Sequence, residues 1–176
     1  MTREELEHAI RAACDVAQDS DVWVFGSQAI LGSFPNAAPA LRQSSEVDVA
    51  PRNRPEKVDD IDGALGELSL FHTTYGFYVH GVPIETATLP EGWQMRTVPV
   101  PGRGARPATG WCIEAHDLAV SKLVAFRDKD RAFVRTLIVE GLISPDILVA
   151  RVRVTSMDEA LEDRLGRWIE GTRRGP

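Results

Sequence analysis

Two carboxylates one residue apart are the first groups in this chain that could do chemistry. Glu46 and Asp48 flank Val47 in the short apolar run Ser45-Glu46-Val47-Asp48-Val49. Alternate side chains of a strand share a face, so both acids point one way while Val47 and Val49 point into the core. Such a pair repels itself and resists desolvation, so a positive partner is expected between the two groups. A divalent metal ion is the usual partner, and hard oxygen ligands suit Mg²⁺ or Mn²⁺. Upstream, the bulky run Val22-Trp23-Val24-Phe25 stops at Gly26-Ser27, which reads as a buried strand meeting a turn. Gln28 to Phe34 then reads as one or two helical turns, whose free backbone N–H groups could hold a phosphate.

An apolar strand, Gly-Ser, a short helix and then acid-x-acid on the next strand resembles the signature of the polymerase-β-like nucleotidyltransferase superfamily. The resemblance implies that Gly26 and Ser27 grip a triphosphate and that Glu46 and Asp48 hold catalytic metal. Glu46 stands where that family usually has Asp, and the connection from Gly32 to Ser45 is longer than in its compact members. The superfamily also carries a third carboxylate on a strand beside the acid-x-acid strand. Here Glu85, between Ile84 and Thr86, takes the matching place. A second stretch, Lys122 to Asp130, is similar to a lysine-to-aspartate motif in AbiEii-type toxins and related small proteins. That likeness implies that Lys122 meets the nucleotide phosphates and that Asp130 completes the site. Without it, Lys122 reads as a snorkelling helix lysine and Asp130 as an ordinary cap.

The elements that must position these groups follow from periodicity. Thr2-Arg3-Glu4-Glu5 is a capping box, with Leu6, Ile10, Ala13 and Ala17 at helical spacing behind it. His8 falls off that stripe and is expected at the solvated surface. Val58, Ile61, Leu65 and Leu68 predict an amphipathic helix from Glu56 to Leu68, with Asp59, Asp60 and Asp62 solvated outside. Arg52-Asn53-Arg54 reads as a solvated turn. Phe77 to His80 and Val82 to Ala87 read as a hairpin about Gly81, with His80 structural. Met95 to Val100 predicts a strand, Pro101 to Pro107 a mobile loop, and Trp111 to Glu114 a last strand. Arg96, Arg103 and Arg106 give this region a cationic character that could contact phosphate or RNA.

Helices are then expected over His116–Phe126, over Arg131–Glu140 with Asp130 as its cap, and from Ser144-Pro145. Ser156-Met157-Asp158-Glu159 reads as a capping box for a final helix, with a frayed tail from Thr172. The expected fold is α/β (α+β): a nucleotidyltransferase-like mixed sheet flanked by helices over 1–115. A helical C-terminal part, 116–176, packs with it as one unit.

Composition bounds the partners. A net charge of −6 argues against a uniformly basic nucleic-acid binder. No apolar run approaches a membrane span, and the charged N-terminus lacks a signal-peptide core. Cys14 and Cys112 are too isolated for a disulfide framework or a zinc site, and free buried thiols suit a cytoplasmic protein. The implied reaction moves a nucleoside monophosphate from an NTP to a hydroxyl of tRNA, protein or a small molecule. By the toxin likeness, a cognate antitoxin is a further partner. The alternative is a catalytically inactive relative that binds a nucleotide or a protein partner, which Glu46 and the long connection before it favour.

Overall fold

The computed structural model describes residues 1–173. Helix α1 (Arg3–Ala17) begins where the Thr2 hydroxyl accepts from the Glu5 N–H (3.2 Å) and Glu5 accepts from the Thr2 N–H (2.6 Å). Its buried stripe of Leu6, Ala9, Ile10, Ala13 and Ala17 lies across a mixed five-stranded sheet. The strands are β1 (Asp21–Phe25), β2 (Glu46–Pro51), β3 (Tyr78–Gly81), β4 (Val98–Pro101) and β5 (Thr109–Cys112), in spatial order β3-β2-β1-β5-β4. β2 runs antiparallel to β1, β5 runs parallel to β1, β3 runs parallel to β2, and β4 runs antiparallel to β5. Paired residues share a face, so Val24, Val49, Val47 and Val79 form one buried surface under α1. The opposite face carries Phe25, Asp48 and His80 in register.

Asp19, between α1 and β1, fixes how two turns meet. Its buried carboxylate accepts from the N–H groups of Asn53 (2.7 Å), Asp21 (3.1 Å) and Arg54 (3.2 Å) and from the Asn53 amide (2.8 Å). The 52–54 turn is solvated, with Arg52 and Asn53 exposed, yet it is anchored at Asp19, and Arg52 lies over the rings of Trp23 and Trp111.

After β2 the chain forms α3 (Val58–Leu65), shorter than the spacing predicts, and then a helix the sequence did not announce, α4 (Leu70–Tyr75). Ser69 caps α4 by accepting from the His72 N–H at 3.1 Å. Phe71, Tyr75 and Phe77 enclose the ring of His8 edge-on, so His8 is half-buried instead of solvated, and burial lowers its pKa. The expected hairpin about Gly81 does not form. β3 is parallel to β2, its ladder closes with the Val82 N–H on the Val49 carbonyl, and Pro83 cannot donate the next bond. Ile84–Thr86 is a 3-10 turn.

The C-terminal helices are α5 (Ala115–Ala125), α6 (Asp128–Val139), α7 (Pro145–Arg153) and α8 (Glu159–Arg173). With the one-turn α2 (Ile30–Ser33), eight helices flank the sheet among the described residues, and their buried side chains join its apolar cluster. Three expected boundaries move. Glu114 is the cap of α5, accepting from the His116 N–H at 3.0 Å, and not a strand residue. Asp130 lies inside α6 and does not cap it. Asp158 caps α8 through the Leu161 N–H (2.8 Å), so the Ser156 capping box is not used. Thr172 and Arg173 are helical, and the rest of the expected frayed tail lies outside the described residues. Cys14 and Cys112 are free and buried, which pushes both thiols up to about 12. No helix among the described residues is long and apolar enough to cross a membrane.

Candidate active site

Gly26 ends β1 with φ 66°, and a Cβ there would lie 1.9 Å from Asp48 Oδ2. The Asp48 carboxylate thus rests against bare backbone, which only glycine allows at that approach. The helical segment behind the Gly-Ser turn is short: a 3-10 turn, Ser27–Ala29, and then the four residues of α2. It offers little axial dipole, so cationic side chains nearby matter to an anion there as well as the N–H groups of the turn.

Those side chains come from the helical part. Lys122, near the end of α5, donates from Nζ to Ser27 Oγ at 2.9 Å. Phe126 turns the chain in the left-handed region (φ 52°), and α6 then brings Asp130 to 3.7 Å from the same ammonium. Arg127 Nε holds the other carboxylate oxygen at 2.6 Å. Asp130 is almost wholly buried, and Lys122 retains 13% of its side-chain exposure. Burial lowers the Lys122 pKa, against the opposing pull of Asp130 and Asp48.

Glu46 and Asp48 project from β2 on one face, as alternation requires. The third group beside them is His80. Its Nδ1 lies 2.8 Å from Glu46 Oε1 and 3.1 Å from Asp48 Oδ1, and the three donor atoms all fall within 4.8 Å of one another. Burial raises the Glu46 pKa and the charge of Asp48 raises it further. Burial alone would lower the His80 pKa, but the Asp48 hydrogen bond and the charges of Asp48 and Glu46 outweigh it and raise it.

Glu85 is exposed on the 3-10 turn and lies outside this trio. The two-residue alternation of β3 sets Tyr78 and His80 on one face, and the parallel register with β2 makes it the acids' face. The arginines turn elsewhere. Arg96 pairs with buried Asp117 (2.8 Å), Arg103 with Glu7 (2.6 Å) and Glu4 (3.2 Å), and Arg106 with Asp15 (3.7 Å). None of the three lines the cleft at the acids.

That cleft has a volume of about 680 Å³. Ser27, Glu46, Asp48 and His80 line it together with Lys122, Arg127, Asp130 and Phe133 of the helical part. The long connection before β2 contributes Leu41, Gln43 and Ser44. It is held by Gln28, fully buried, whose Nε2 donates to the Ser44 carbonyl at 3.0 Å. Gln28 and Arg127 are site residues that the sequence alone did not single out. The sequence-stated pairs Gly26–Ser27, Glu46–Asp48 and Lys122–Asp130 all converge here. The volume suits one drug- or nucleotide-sized ligand.

A family model described as "Nucleotidyltransferase of unknown function (DUF6036)" matches residues 4–169. No curated protein and no solved structure matches the chain significantly.

Proposed function

The chain belongs to this family of nucleotidyltransferases of unknown function, and on that premise we propose a metal-dependent transfer of a nucleoside monophosphate from an NTP to a hydroxyl acceptor. The observation that carries the reading is the Lys122 Nζ–Ser27 Oγ bond of 2.9 Å, which brings a desolvated ammonium into the same cleft as Glu46 and Asp48. Glu46 and Asp48, with His80 beside them, are the residues that would hold a divalent ion. When bound, the ion supplies neutralising charge to the triphosphate and acidity to the acceptor hydroxyl. Ser27 and Lys122 are placed to hold the leaving phosphates. Asp130 favours the charged form of Lys122 and Ser27 holds its ammonium in place, so little reorganisation is needed when negative charge builds on pyrophosphate. The acceptor oxygen bonds to the α-phosphorus as the bond to the bridging oxygen breaks, pyrophosphate leaves, and the hydroxyl proton passes to water. No covalent enzyme intermediate is required, and the chain's contribution is position and electrostatics.

The acceptor is a hydroxyl of tRNA, protein or a small molecule. The three arginines expected to favour a polyanion lie outside the cleft beside acids of the chain, so they do not single out the first choice. The likeness to AbiEii-type toxins extends the proposal to growth arrest opposed by a cognate antitoxin. It rests on Lys122 and Asp130 meeting beside Ser27. Incubation with α-phosphate-labelled ATP, CTP, GTP and UTP and a divalent ion tests the reaction. Label should move to an acceptor from cell extract with the parent and not with Asp48→Asn. Equal labelling by both proteins would overturn the assignment. The toxin extension fails if expression of the parent slows growth no more than expression of Asp48→Asn.

A further inference from the structure

We infer that the metal site is a mixed oxygen–nitrogen site, with His80 as a direct ligand, and that it selects Mn²⁺ over Mg²⁺. This rests on the reading of Glu46 and Asp48 as metal-holding residues. Three observations carry it. The parallel register of β2 and β3 pairs Asp48 with His80, so backbone hydrogen bonding alone brings the imidazole to the acids' face. The His80 Nδ1 points between the two carboxylates, 2.8 Å from one oxygen and 3.1 Å from the other. Neighbouring ligands of a six-coordinate ion with bonds of roughly 2.1 Å stand about 3.0 Å apart, so these separations match the edge of such a shell. Finally, Glu85, the carboxylate expected to complete the set, is exposed on a turn and absent from it.

The chemistry of the donors then sets the preference. Mg²⁺ is hard, dehydrates reluctantly and takes oxygen. Imidazole is a borderline donor that transition ions accept more readily. Replacing a third carboxylate by imidazole also removes one negative charge, which weakens the hold on a purely electrostatic ion most. The trio of Glu46, Asp48 and His80 thus favours an ion that gains from a nitrogen bond.

Mn²⁺ added to the full chain without nucleotide, followed by electron paramagnetic resonance, tests this directly. Bound Mn²⁺ should show hyperfine coupling to a coordinated ¹⁴N, and competition should favour Mn²⁺ over Mg²⁺. In His80→Asp the coupling should vanish, and the Mn²⁺/Mg²⁺ affinity ratio should fall at least about tenfold. Bound Mn²⁺ without nitrogen coupling in the parent overturns the inference while leaving the carboxylate site standing. An unchanged ratio in a folded His80→Asp protein overturns it too. Failure of the parent to bind Mn²⁺, or undiminished binding in Asp48→Asn, removes the carboxylate site as well. Circular dichroism checks the fold of each variant, and the parent spectrum decides alone should His80→Asp not fold.

Discussion

Lys122 shows how one side chain can serve a site at the expense of the fold. Its ammonium is nearly buried, and its neighbours are a hydroxyl, a carboxylate already held by Arg127, and the ring of Phe133. A surface lysine would be neutral to replace, within about 0.5 kcal/mol. Lys122→Met keeps the length and removes the charge, so thermal stability should hold or rise. Nucleotide affinity should drop by about ten- to a hundredfold, the worth of a charge-assisted hydrogen bond of roughly 1.5–3 kcal/mol. Unchanged nucleotide affinity in a folded variant would make Lys122 a structural residue. Gly26 makes the opposite case, since its role is to be absent. An alanine there must place its Cβ 1.9 Å from Asp48 Oδ2 and hold φ 66°. Gly26→Ala should cost about 1–2 kcal/mol in strain and displace Asp48, so metal affinity should fall along with the melting temperature. Metal binding equal to the parent's would show that the Asp48 position is not what the glycine protects.

Between elements, the junction at Asp19 holds β1 and β2 in the register that sets Asp48 against Phe25. Burial opposes its ionisation, yet the Asn53, Asp21 and Arg54 donors outweigh burial and lower its pKa. A carboxylate with a depressed folded pKa adds stability that is complete above its unfolded value, about pH 4, and is lost as pH falls through the folded one. Acid unfolding of the parent should therefore be steeper below about pH 4 than that of Asp19→Asn. Asp19→Ala should lose about 2 kcal/mol at neutral pH by denaturant titration. Parallel acid profiles for parent and Asp19→Asn would refute the anchoring role.

This junction also shows what a sequence can reveal at this scale. The stripe of α1, the run of β1 and the alternation of β2 depend on local periodicity, and all three form where it places them. The same alternation set Glu46 and Asp48 on one face, and the stop of the apolar run at Gly26-Ser27 marked the turn beside them. Pairing partners are not local. The step from Tyr78 to Val82 alternates equally well in a hairpin or in a parallel edge strand, and only the register with β2 shows His80 beside Asp48. Caps were ambiguous for a similar reason, since Ser156 and Asp158 offer acceptors two residues apart and the chain uses the second.

Across the whole molecule, charge is settled mostly within the chain. Arg103 and Arg106 lie over the acids of α1, far exposed, and such pairs contribute little. Replacing both with Gln should change stability by less than about 1 kcal/mol and leave nucleotide affinity unaltered at any salt concentration. A steep loss of nucleotide affinity would place the loop in the site after all. The cleft between sheet and helices gathers Glu46, Asp48, Lys122, Arg127 and Lys129 in one place. This cleft should bind an NTP together with a divalent ion held by the β2 acids. Calorimetric titration of parent and Asp48→Asn with each NTP in the presence of Mn²⁺ measures it most directly. Saturable binding of at least one NTP by the parent, weakened tenfold or more in an equally stable Asp48→Asn, is the expected result. Equal affinities in the two proteins, or no NTP bound with Mn²⁺ or Mg²⁺, would contradict it.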